Sequence, residues 1–118
     1  MQKILLALLL LLVTWPGHAQ TDFCRQAKQS VLIDVRTPEE YATGHIAGAL
    51  NLPLERLAAG IGTIGGLNSD SLILVYCRTG NRSAQTRALL SRRGYANVTD
   101  GGGISTLASR LQACSESR

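Results

Sequence analysis

The chain has 118 residues, of which 45% are hydrophobic, 4% aromatic and 17% charged, and 12 Lys+Arg against 8 Asp+Glu give a net charge of +4. That is enough for one domain, too apolar for intrinsic disorder and, with one long apolar run, not a polytopic membrane protein. Three Tyr, one Phe and one Trp are few for a nucleic-acid binder that stacks bases, and the scattered cations form no basic stripe.

Residues 1–19 read as a secretory signal peptide. Lys3 supplies the positive end, Ile4 to Val13 carry no polar side chain, and Gly17-His18-Ala19 place small residues before a cut after Ala19. As a helix the apolar run spans about 15 Å, roughly half a bilayer core, which disfavours a retained anchor. The expectation is therefore a single exported domain over residues 20–118, monomeric, periplasmic and without a membrane span after cleavage. Lys28 is then the only lysine and the remaining cations are arginines, whose planar fork of donors suits oxyanions.

Thr21 to Ser30 is polar and predicts a lead-in with at most two helical turns. Val31 to Val35 predicts a buried strand. Thr37-Pro38-Glu39-Glu40 carries a capping threonine, a proline at the first helical position and acids in the first turn, and Gly44 ends that short helix. Ala49 to Leu52 predicts a strand stopped by Pro53, and Leu54 to Ala59 has helical spacing. Gly60, Gly62, Gly65 and Gly66 predict a loop. Leu72 to Tyr76 has no charged residue and predicts a central parallel strand. Ser83 to Arg93 predicts a helix closed by Gly94, with Tyr95 packing back on its last turn. Asn97 to Thr99 predicts a strand and Gly101-Gly102-Gly103 a turn. Ile104 to Cys114 predicts a helix with Ile104, Leu107, Ala108 and Leu111 on one face. Alternating strands and short helices predict an α/β sandwich around a parallel sheet.

Cys77-Arg78-Thr79-Gly80-Asn81-Arg82-Ser83 falls between the central strand and a helix, at the carboxyl edge where parallel sheets bind ligands. Gly80 and Asn81 tolerate positive φ, so the loop can curl until its N–H groups converge beside a helix N-terminus. A thiol at the centre of such a cradle has a depressed pKa. With two arginines flanking it, the arrangement suits a sulfur nucleophile and an anionic substrate. Asp34 ends an apolar strand, where an unpaired carboxylate is costly, and pairing with Arg36 or Arg82 would orient the loop.

Four segments together resemble the rhodanese family of sulfurtransferases. Asp34-Val35-Arg36 followed by Thr37-Pro38-Glu39-Glu40-Tyr41 is similar to the family's opening strand and helix. Gly44-His45-Ile46-Ala47-Gly48-Ala49-Leu50-Asn51-Leu52-Pro53 is similar to its second signature, Cys77 to Ser83 to its active-site loop, and Gly101 to Gly103 to the segment before its last helix. The family's usual first strand and helix have no counterpart of full length here, and an aromatic residue common after the late glycines is replaced by Leu107.

The resemblance implies a rhodanese-like three-layer sandwich and a ping-pong sulfur transfer. Cys77 would carry a persulfide, and Arg78, Thr79, Gly80, Asn81 and Arg82 would bind substrate, Arg78 meeting the donor and Arg82 bracing the loop. Asp34, His45 and Ser83 would support the site. It implies no metal or cofactor, a small sulfur-containing anion such as thiosulfate as donor, and cyanide, a small thiol or a thiol protein as acceptor. Three other readings stand beside it: a non-catalytic rhodanese-like binding module, a cysteine-dependent phosphatase and a thiol-redox protein. A phosphatase of this kind needs Cys-x5-Arg, whereas the sixth position after Cys77 is Ser83. A redox protein would normally carry Cys-x-x-Cys, which is absent. If Cys77 is the working thiol, a Cys24–Cys114 disulfide is the pairing that spares it. Two unpaired thiols near the ends of the domain are the alternative.

Overall fold

The computed structural model describes residues 16–116. The charged and apolar parts of the expected signal peptide lie outside the described residues. Helix α1 spans Pro16–Gln29, followed by β1 (Val31–Asp34), α2 (Pro38–Ala42) and β2 (Leu50–Asn51). A 3-10 turn (Leu54–Arg56), α3 (Leu57–Gly60) and a second 3-10 turn (Ile61–Thr63) lead to β3 (Ile73–Cys77). Then come α4 (Asn81–Arg92), β4 (Val98–Gly103) and α5 (Ile104–Glu116). Among these helices none is long and apolar enough to cross a membrane.

The four strands form one parallel sheet in the order β2-β1-β3-β4. The chain moves outward from β1 to β2, then crosses back to lay β3 on the other side of β1. The strand order therefore reverses between β1 and β3, and a crevice opens outside their carboxyl ends, where α/β sheets bind ligands. Asp34 pairs in register with Tyr76, so the residue after it in β3, Cys77, emerges at that crevice.

Alternation along the strands divides the core into two layers. Ile33, Ile73, Val75 and Cys77 face Leu57, Ile61 and Leu90 on one side. Leu74 and Tyr76 face Phe23 and Leu107 on the other, with Leu32 packed against them. All five residues of β3 are buried, as expected of a strand covered on both faces. Helices lie on both sides of the sheet, which is the three-layer α/β arrangement expected. Leu107, at the position of the missing aromatic, is fully buried.

Three segments depart from the sequence expectation. The lead-in is not one or two turns but a 14-residue helix, which runs through the expected cut after Ala19. Its interior is not apolar enough to mark it as a core helix, and its stability comes from docking. Phe23 is buried, the Arg110 guanidinium lies 3.6 Å from the Phe23 ring centroid, and Cys24 is bonded to Cys114 of α5. Secondly, the helical stretch after Pro53 does not stop at Ala59 but continues through Gly60, Gly62 and Thr63. Leu57 and Ile61, four apart, anchor it to the core. Thirdly, Gly101 to Gly103 do not form a turn but the second half of β4. A Cβ on Gly101 would sit 3.0 Å from the Val75 carbonyl oxygen, and one on Gly103 would sit 2.8 Å from that of Arg78. These glycines permit close approach of two backbones. Pairing shifts between Val75 and Cys77, with Val75 opposite Asp100 and Cys77 opposite Gly103, so β4 bulges beside the loop.

The α4 terminus behaves as the sequence predicts. Gly94 takes φ +93°, its N–H donates to Ser91 and that of Tyr95 to Leu90, which satisfies the last carbonyls in a Schellman motif.

Cys24 and Cys114 are 90 positions apart with Cα atoms at 5.6 Å. Closing a loop of that length removes about 4–5 kcal/mol of unfolded-chain entropy. Dithiothreitol should therefore lower the melting temperature of a Cys77→Ser variant by many degrees. It should leave that of a variant lacking all three cysteines unchanged, as followed by circular dichroism.

Candidate active site

The β1 end is built around a buried charge pair. Asp34 is fully buried and Arg36 nearly so. The Arg36 Nε and Nη2 donate to the two Asp34 oxygens at 2.9 and 2.7 Å, and the Arg36 backbone N–H adds a third bond at 2.9 Å. Of the two partners open to Asp34 in the sequence, it takes Arg36. The contact with Asp34 raises the pKa of the guanidinium above its ordinary value against the opposing effect of burial. Nη2 also donates to the Gly44 carbonyl at 2.7 Å, and the Asn51 side-chain amide donates to the carbonyls of Asp34 and Arg36. Removing one member of such a pair strands a buried charge, at about 3–5 kcal/mol.

Helix α2 starts with a capping box. The Thr37 Oγ1 accepts from the Glu40 N–H, and Glu40 Oε1 accepts from the Thr37 N–H at 3.0 Å. The same carboxylate receives Arg82 in a two-point contact, Nη1 to Oε1 at 2.6 Å and Nη2 to Oε2 at 3.0 Å. Arg82 thus pairs with Glu40 and not with Asp34. The sequence reading found Glu40 as a helix-start residue and missed it as a site residue. The signal was the Thr-x-x-Glu spacing; its second role needs the crossover that brings α2 beside α4.

The loop closes on the Cys77 sulfur. Gly80 takes φ +105° and its N–H points back to Cys77 Sγ at 3.0 Å. The Ser83 N–H donates to the same sulfur at 3.3 Å. Ser83 is fully buried; its Oγ lies 3.6 Å from Sγ and donates to the Gly80 carbonyl at 3.1 Å. Burial pushes the thiol up, but the Ser83 hydroxyl and the N–H groups of Ser83, Gly80 and Thr79 outweigh it, and the pKa is lowered. The backbone donors among these lie in the loop and at the start of α4, so they need no reorganisation when charge develops on sulfur.

Arg78 and Thr79 are exposed on the outer side of the loop, and Asn81 is the first residue of α4. An open cleft borders Arg78 and Thr79, lined also by Arg36, Glu39, Glu40 and Thr43 and by Ile104 and Ser105 at the start of α5. His45 is not in it. Its ring stacks on Tyr41 at 3.7 Å between centroids, and its Nδ1 lies 3.0 Å from the Tyr41 carbonyl oxygen, which selects the Nδ1-protonated tautomer. Both contacts tie His45 to Tyr41, within its own segment. Cys24 and Cys114 are held on the other face of the sheet. Among the described residues no group of three His, Cys, Asp or Glu is placed to hold a metal.

A cysteine in a loop of convergent N–H groups on a parallel sheet defines a class. The profile of the rhodanese-like domain matches residues 22–105, and the chain belongs to that family. It is 40% identical over 76 residues to the thiosulfate sulfurtransferase PspE of Escherichia coli (strain K12), an alignment covering 64% of this chain and 72% of that protein. It is 38% identical over 79 residues to the thiosulfate sulfurtransferase GlpE of Pseudomonas entomophila (strain L48), covering 65% and 70%. Among solved structures it is similar to a rhodanese with anions from E. coli, with a TM-score of 0.63, 37% identity and coverage of 67% of this chain and 92% of that one.

Two predictions follow from this geometry. Glu40 is held at about 2, below the ordinary 4.5, first by Arg82 and then by the Thr37 N–H. A carboxylate depressed in the folded state contributes stability that is present above pH 4.5 and lost as pH falls towards 2. Glu40→Gln should be less stable than the parent at pH 6 by urea titration, and the gap should shrink as the pH falls below 4.5 and close only as it falls through about 2. For the thiol, Ser83→Ala removes the hydroxyl that favours the anion once it turns from the Gly80 carbonyl to the sulfur. The pH midpoint of iodoacetamide alkylation, which reports Cys77 while the other cysteines are bonded, should move upward.

Proposed function

We propose that the chain is a thiosulfate sulfurtransferase that carries sulfur on Cys77. The observation behind this is the Cys77 sulfur facing the Gly80 and Ser83 N–H groups, with that of Thr79 also favouring the anion. The Cys77 thiolate attacks the outer sulfur of thiosulfate; the S–S bond of the donor breaks and sulfite leaves with the electron pair. The persulfide anion on Cys77 is stabilised by the loop N–H groups. Cyanide or a thiolate then attacks the outer sulfur, and the Cys77 thiolate is the leaving group. Arg78, exposed beside the loop and without an ion pair among the described residues, draws the donor in. The anions of the related E. coli rhodanese support an anion site here.

The rival readings lose support at specific residues. Arg82, the arginine a phosphatase would turn to the phosphate, is committed to Glu40. A redox relay needs a second thiol near Cys77, and Cys24 and Cys114 are bonded to each other. A non-catalytic module has no use for a sulfur so placed. The apolar N-terminus and the disulfide both support export to an oxidising compartment such as a periplasm, with residues 1–19 removed. Leu50 is the only exposed large hydrophobic residue among those described, which supports a monomer.

Thiosulfate should add one sulfur atom to the protein, seen by intact mass, and cyanide should remove it as thiocyanate. Cys77→Ser should abolish both, and thiocyanate release at the parent rate would overturn the assignment. Arg78→Ala should lower kcat/KM for thiosulfate by about 10- to 150-fold, the loss of one charge-assisted contact, at unchanged melting temperature. Arg82→Ala should lower the melting temperature, because Glu40 loses its partner.

A further inference from the structure

Four charged side chains line the cleft beside the loop: Arg36, Glu39, Glu40 and Arg78. Two are neutralised within the protein, Arg36 by Asp34 and Glu40 by Arg82. The other two, Glu39 and Arg78, have side chains with no hydrogen bond or ion pair among the described residues, and both are exposed. Arg78 belongs to the loop after β3 and Glu39 to the first turn of α2. The cleft thus presents one free cation and one free anion from different elements.

The cation fits an anionic donor. The carboxylate does not, since it repels thiosulfate from the same opening. In a ping-pong cycle the second substrate enters the cleft that the first has left. An unpaired carboxylate there makes physical sense if that second substrate brings a positive charge. We propose that Glu39 is a specificity-determining residue for the acceptor, and that the acceptor is a zwitterionic thiol of the amino-acid class, its ammonium facing Glu39 and its carboxylate facing Arg78. This rests on the sulfur-transfer reading and extends it. The acceptor thiol gives its proton to solvent and its thiolate attacks the outer sulfur of the Cys77 persulfide. One S–S bond forms to the acceptor, the bond to Cys77 Sγ breaks, and the electron pair returns to Cys77. No oxidant or reductant is consumed.

The test is single-turnover transfer from protein loaded with thiosulfate, its persulfide content checked by intact mass. The acceptors are cysteine, cysteamine, 3-mercaptopropionate and 2-mercaptoethanol, compared at equal thiolate concentration. Cysteine and cysteamine should outrun 3-mercaptopropionate and 2-mercaptoethanol respectively. Glu39→Gln should reduce each of those two preferences by about two- to fivefold, the range for an exposed charge pair, and Glu39→Asp should restore part of it. Arg78→Ala should instead erase the preference for cysteine over cysteamine. Raising the salt to about 1 M should shrink every charge preference. Rates blind to acceptor charge, or a Glu39→Gln variant that slows all four acceptors equally, would overturn the role of Glu39 while leaving sulfur transfer in place. Failure of thiosulfate to load Cys77 would overturn both.

Discussion

Much of the molecule hangs from the buried Asp34–Arg36 pair. It sits at the carboxyl end of β1, where the strand order reverses, and it turns Arg36 back over the strand end to reach Gly44. That fixes where the chain leaves the sheet and so where α2 begins. From α2, Glu40 reaches Arg82 at the start of α4. The loop around Cys77 is thereby tied on one side to β3, which it leaves, and on the other to β1 through two successive ion pairs. A charge pair so largely removed from water is often no net gain over apolar packing. Its value here lies in direction, since only one arrangement of the crossover satisfies both charges.

The same economy governs the sulfur. Among the described residues no arginine or lysine donates a hydrogen bond to Sγ; the anion is favoured by N–H groups whose orientation is a by-product of capping α4 with Gly80. Backbone donors cannot rotate away, which suits the alternation between thiolate and persulfide proposed for Cys77. Ser83 adds an adjustable member, because its hydroxyl reaches both Sγ and the Gly80 carbonyl. The bulge in β4 completes the enclosure, as Gly103 passes so close to the Arg78 carbonyl that a side chain there would push the loop open.

Stability is supplied away from this chemistry. The family resemblance covers the sheet and the loop but not a full first strand and helix. In their place α1 caps the second face of the sheet through Phe23 and the Cys24–Cys114 bond. The disulfide thus joins the first helix described to the last, on the face of the sheet opposite Cys77.

The sequence by itself determined the strands, the parallel sheet, the helix boundaries at Thr37 and Gly94, and the loop that carries Cys77. These are local matters: hydrophobic runs, capping side chains and glycines that allow positive φ act within a few residues. It left open whether Asp34 would meet Arg36 or Arg82, because both lie within reach until the crossover of α2 is fixed. It read Gly101 to Gly103 as a turn, since a run of glycines looks the same whether it bends or lies close against another backbone. It underestimated α1, whose polar sequence becomes helical only by docking on α5. It also gave Glu40 one role where it has two. Each of these was decided by tertiary structure, for one physical reason: the groups that settle it, Glu40 for Arg82, the Val75 and Arg78 carbonyls for the glycines and α5 for α1, lie tens of residues away, and only the packed sheet brings them together.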